Sequence, residues 1–161
     1  MFDLFAGLPM HVLVIHAVVV LGPLAAICAV GHALRPGWRR LLRWPTGVLA
    51  VITGVGAFVA AESGEALLQR VSTTRAATTN FDLLSAHQAA GDRARLWCLV
   101  FMVLALAGVW FLPEPGQEAA RSHPLAQLLR VLVVLSAVAA LVTIVLAGDA
   151  GARVVWDGIA T

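Results

Sequence analysis

The chain has 161 residues, of which 60% are hydrophobic and 12% charged, against roughly 45–50% and about 25% in soluble domains. That length allows one compact domain, and the composition makes lipid its solvent. The net charge of +2 rests on arginine alone, placed at helix ends and not along one stripe, which argues against nucleic acid as a partner.

The opening MFDLFAGLPMH carries an acid and no base before its apolar run. It lacks the charged leader of a cleavable signal and is expected to stay as the first span. That span covers about residues 8–33 and stops at Arg35-Pro36-Gly37. Pro45 suits the first turn of a second helix over about 45–68, followed by the polar loop VSTTRAATTN. An amphipathic lead-in over about 81–92 becomes a third span over 93–112, ended by Pro113 and Pro115. The fourth covers about 125–149 and gives way to GDAGARVVWDG. Each stretch is long enough to cross a bilayer.

Short connections make neighbours antiparallel, so the expected fold is an all-α membrane protein: one domain, four transmembrane helices, an up-and-down bundle. Arg35, Arg39, Arg40, Arg43, Arg121 and Arg130 lie on one side, against Arg70, Arg75, Arg93, Arg95 and Arg153 on the other. The dense cluster places the first side in the cytoplasm and both termini outside. A faint repeat relates the two hairpins: His11 precedes a span ending at Pro36-Gly37, and His87 one ending at Pro115-Gly116. Cys28 and Cys98 fall at different heights, so no disulfide is expected. No CxxC or CxxCH occurs, which removes thioredoxin-like, zinc-ribbon and covalent haem chemistry.

Small residues form seams. Helix two carries Gly47, Ala50, Gly54, Ala57, Ala61 and Gly64 on one stripe. Helix three carries His87, Gly91, Ala94, Cys98, Phe101, Ala105 and Gly108, and helix one His11, Ile15, Val18, Gly22, Ala29 and Ala33. Plain helix packing needs such seams; so does the flat bed of a planar cofactor, at Gly54 and Ala61. His16 follows His11 by five residues, about 140° around the helix, so the two do not share a seam unless Pro23 bends it.

Counting about 1.5 Å per residue from the arginine-rich side puts His16, Glu62, Glu65, Asp92 and Asp149 near the outer boundary of a core about 30 Å thick. His11 and His87 stand about 6 Å and about 9 Å beyond it. Helix ends near headgroups are polar in any case, and an imidazole is equally well satisfied by a carboxylate inside a bundle.

LPMHVLVIHAVVVLGP, TGVGAFVAAESG, the single His87 ahead of span three, and GDAGARVVW together resemble the bacterial membrane proteins called domain of unknown function 2231. The resemblance covers nearly the whole chain. It implies a bacterial inner-membrane location, and, because similar proteins occur fused to Rieske iron–sulfur domains, membrane redox work. The family pattern closes on an aromatic followed by histidine-glycine, whereas here Trp156 is followed by Asp157-Gly158.

Three functions compete. The first is b-type haem electron transfer, with His87 and either His11 or His16 as axial ligands, Gly54 and Ala61 as the bed, and Arg70, Arg75, Arg93, Arg95 or Arg153 for the propionates. Its partners would be the bilayer, an iron–sulfur protein and a second copy in a homodimer. The second is a zinc or iron site or permease using His11, His16, His87, Glu62 and Glu65. The third is a cofactor-free subunit. No nucleophile–base pair, Walker loop or dinucleotide fingerprint is present, which argues against a hydrolase or a nucleotide-driven enzyme.

Overall fold

The computed structural model describes residues 4–5, 8–74, 80–113, 116 and 123–156. After a two-residue antiparallel pairing of Leu4–Phe5 (β1) with Leu8–Pro9 (β2), four helices follow: α1 Met10–Leu34, α2 Arg39–Thr74, α3 Phe81–Phe111 and α4 Pro124–Trp156. All four are long and apolar enough to cross a membrane. This is an all-α, multi-pass membrane architecture.

The boundaries have local causes. Arg35 and Leu112 each precede a proline and are extended, which ends α1 and α3. Asn80 caps α3 by accepting the Leu83 N–H at 3.4 Å, with Asp82 in the first turn. At the start of α4, Pro124 needs no hydrogen-bond acceptor, and His123 Nδ1 accepts the Leu125 N–H. α2 and α4 run past the expected spans at both ends, while α1 starts at Met10, after the β2 pair that the expected first span included. α2 begins six residues before Pro45, because a proline there removes only its own bond to the Leu41 carbonyl and the turn ahead of it is anchored by Arg39. The expected lead-in over 81–92 and the third span are one continuous helix. Pro23 lies inside α1 without ending it.

In the bundle α1 packs on α2 and α4, and α3 packs on α4 and α2, so α1 and α3 are diagonal. The core is built of small residues: Ala25, Ala29, Ala50, Cys98, Ala105 and Ala137 are almost wholly buried, with Phe101 among them. Lipid supplies no hydrophobic drive between helices, so close backbone approach and dispersion contacts hold them. Gly54 shows the tightness: a Cβ there would stand 2.8 Å from Met102 Cβ. Cys28 and Cys98 are both free.

At the arginine-rich end the Arg39 side chain is buried. It donates to the carbonyls of His32 (3.1 Å), Ala33 (3.1 Å) and Pro113, so one guanidinium satisfies carbonyls at the C-terminal ends of both α1 and α3. A belt of exposed aromatics, Trp38, Trp44, Trp110 and Phe111, surrounds this end, as at a membrane–water interface.

Candidate functional site: a histidine pair on a pseudo-two-fold axis

At the opposite end the rings of His11 and His87 meet edge to face, with centroids 6.2 Å apart and planes at 77°. Each ring is fixed by the neighbouring helix of its own hairpin. His11 Nδ1 donates to the Ala60 carbonyl of α2 at 2.8 Å, and His87 Nδ1 donates to the Ala147 carbonyl of α4 at 3.2 Å. A carbonyl only accepts, so Nδ1 carries the proton in each neutral ring and Nε2 keeps its lone pair.

The glycines explain how an outside donor reaches a helical carbonyl. Helical side chains lean toward the N-terminus, so the Cβ four residues on covers the carbonyl of a given residue. Four residues after Ala60 stands Gly64, and four after Ala147 stands Gly151. A Cβ at Gly64 would lie 3.1 Å from the His11 ring, and one at Gly151 would lie 2.9 Å from the His87 ring.

The two halves correspond at most of their buried positions. Counted from His11, the buried Val18, Gly22, Ala25, Ala29 and His32 hold the places that Ala94, Cys98, Phe101, Ala105 and Gly108 hold counted from His87. Counted back from Gly64, the buried Thr46, Ala50, Thr53 and Ala57 match Val133, Ala137, Ala140 and Ile144 counted back from Gly151. The faint repeat is thus a pseudo-two-fold arrangement, with the histidine pair at one end of its axis and Arg39 at the other. The residue-level signal in the sequence is Ala60-x-Glu62-x-Gly64 against Ala147-x-Asp149-x-Gly151, which the landmark comparison above missed.

The other expected site residues are placed elsewhere. His16 is exposed on the outer surface of α1 and bonds the Val12 carbonyl of its own helix. Glu62 turns to Arg95 at 3.2 Å, and Arg95 also pairs with Asp92 at 3.1 Å, so this arginine is held by two carboxylates. Glu65 is exposed. Among the described residues no three or more His, Cys, Asp or Glu side chains gather as a metal cage, so His16, Glu62 and Glu65 do not join the histidine pair. Arg153 pairs with Asp149 at 2.9 Å, and Arg93 Nε donates to the Ala89 carbonyl. Ala61 is half-buried on α2, and Gly54 is taken up by Met102. Arg75 lies outside the described residues, as does the Arg70 side chain.

A family profile described as a predicted membrane protein (DUF2231) matches residues 7–160. The chain belongs to this family. No curated protein and no solved structure matches it. In this DUF2231 chain the opening HxxxxH splits its roles, His11 turning inward and His16 outward. The closing GDAGARVVW lies on α4, where its second glycine, Gly151, seats His87.

Proposed function

We propose that this protein is a membrane redox carrier in which His11 and His87 together ligate one haem b iron near the outer face. The meeting of the two imidazoles carries the reading: metal–nitrogen bonds of about 2 Å put two imidazoles that share one metal from opposite sides about 6 Å apart, centroid to centroid. Both Nε2 lone pairs are available, and each Nδ1–H is held by a carbonyl, the usual outer-shell support of a ligating histidine. A bare zinc or iron wants three or four protein donors, whereas porphyrin iron needs two. Bound haem would supply one-electron transfer; the chain's own residues fix the imidazole tautomer and orientation. An iron–sulfur protein at the outer face is an electron partner that suits this reading. A bacterial inner membrane with both termini outside is the matching location, and a homodimer is compatible with it.

The test is an absorption spectrum of the purified, reconstituted chain titrated with haem. A Soret band that shifts, and that needs more haem to develop, in His87→Ala and in His11→Ala is the expected result. A flat spectrum, or a band unaffected by either substitution, removes the reading. One observation favours a bare metal ion as the second reading: Met102 fills the space at Gly54 where a planar bed was expected. Elemental analysis finding stoichiometric metal without porphyrin would establish it.

A further inference from the structure

The arginine-rich end holds a second feature, unconnected with the histidines. A groove of about 390 Å³ runs between α1 and α4, walled by Ile27, Val30 and Leu34 on one side and Val138 and Leu141 on the other. Its upper edge is formed by Arg35 and Trp38. The walls are apolar and open sideways toward lipid. Arg35 is exposed, its guanidinium lies 5.6 Å from the Trp38 ring centroid, and among the described residues it meets no carboxylate.

We propose that this groove is a binding site for one anionic phospholipid, the acyl chain lying between α1 and α4 and the phosphate at Arg35. Three observations agree on that occupant. Trp38 belongs to the interfacial belt, so the groove mouth stands at headgroup height while its walls descend into the hydrocarbon. A methylene takes about the volume of a water molecule, roughly 30 Å³, so the groove holds about a dozen of them, most of one chain. The cation at the mouth is matched by a phosphate, the pairing by which basic pockets between helices take acidic headgroups. Cation–π attraction to Trp38, 5.6 Å from the guanidinium carbon, keeps the guanidinium at the mouth, where its N–H edges can make two-point contact with phosphate oxygens.

The full-length chain is purified in mild detergent from vesicles of phosphatidylcholine and phosphatidylglycerol, and the retained lipid is measured by mass spectrometry. One phosphatidylglycerol per chain, in preference to phosphatidylcholine, is expected. Arg35→Gln lowers the preference about fivefold, since one surface cation is worth about 1 kcal/mol toward an anionic lipid. Val138→Trp fills the groove and removes the retained lipid while Arg35 is intact. Arg153→Gln, at the other end, changes nothing. Equal retention of both lipids, or retention unaffected by Arg35→Gln and Val138→Trp in chains that keep their helical circular dichroism, overturns the proposal. So does efficient cross-linking between two copies through cysteines placed at Ile27, which would show a second chain covering the groove.

Discussion

The imidazoles of His11 and His87 stand 6.2 Å apart although their helices are diagonal in the bundle and scarcely touch elsewhere. Each is brought to the axis by its neighbour: the Ala60 and Ala147 carbonyls hold the rings, and Gly64 and Gly151 clear the space beside them. The approach of the two rings is therefore a property of four helices. It should respond to changes on α2 and α4 as strongly as to changes on α1 and α3.

Gly151→Ala is the direct check. Its Cβ would stand 2.9 Å from His87 Cε1, so the ring must leave the Ala147 carbonyl. Alanine gains up to about 1 kcal/mol in helix propensity, while overpacking costs about 1–3 kcal/mol, so a net loss of about 1 kcal/mol is expected in a reversible denaturant titration in micelles. Gly148, one turn earlier on α4, has nothing within 4 Å of a built Cβ, and Gly148→Ala should raise stability. The same sign for both variants would contradict the cradle.

Arg39→Leu should be the more damaging change. It leaves the His32, Ala33 and Pro113 carbonyls without their donor at a point where two helix ends converge. A charged donor contributes about 1.5–3 kcal/mol per hydrogen bond, so a loss of at least about 3 kcal/mol is expected from the same titration. Arg39→Lys, with a point charge in place of a fork, should recover less than half of it.

The ion pairs of the outer layer are a different matter. Arg95 and Glu62 keep 30% and 40% of their side-chain surface exposed, and pairs of that kind contribute at most about 1 kcal/mol. A double-mutant cycle between Glu62→Gln and Arg95→Gln should give a coupling below that figure, shrinking further in high salt. A coupling of several kcal/mol would mean that this pair holds α2 against α3.

The spans were legible because 3.6-residue periodicity and apolar length both survive in a single sequence. The seams of α1 and α3 were legible in large part: Val18, Gly22, Ala29, Ala33, Ala94, Cys98, Phe101, Ala105 and Gly108 are among the residues the structure buries, while Ala25, Ala26, His32 and Ala90 join them from outside the seams. On α2 the buried face is wider than the glycine stripe, because Thr46, Thr53 and Ser63 are also small enough to enter it. Whether His11 or His16 turns inward was not readable. An angle of about 140° separates them on α1, but which one faces the axis depends on the rotation of the whole helix, which is set by α2 and α4. The acids misled for a related reason. Depth counting grouped Glu62, Glu65, Asp92 and Asp149 with the histidines by height, yet height says nothing of azimuth: Glu62 turns to Arg95 across the α2–α3 seam and Asp149 to Arg153 on its own helix.

That distinction between height and azimuth yields the sharpest functional contrast. His16 and His11 are about 1.4 turns apart on α1, yet His16 bonds only within its own helix, on the outer surface. Under either proposed reading, haem or bare ion, His16→Ala should leave the titration of the purified chain unchanged. His11→Ala should abolish two-histidine ligation and weaken binding by about tenfold or more, as even the loss of an outer-shell partner does at metal sites. If haem binds as proposed, electron paramagnetic resonance of the haem-titrated chain separates the two substitutions, since the ferric signal should change in His11→Ala and stay as it is in His16→Ala. If His16→Ala changed that signal and His11→Ala did not, the pair would have to be redrawn around the outward histidine, and α1 would have to rotate to present it.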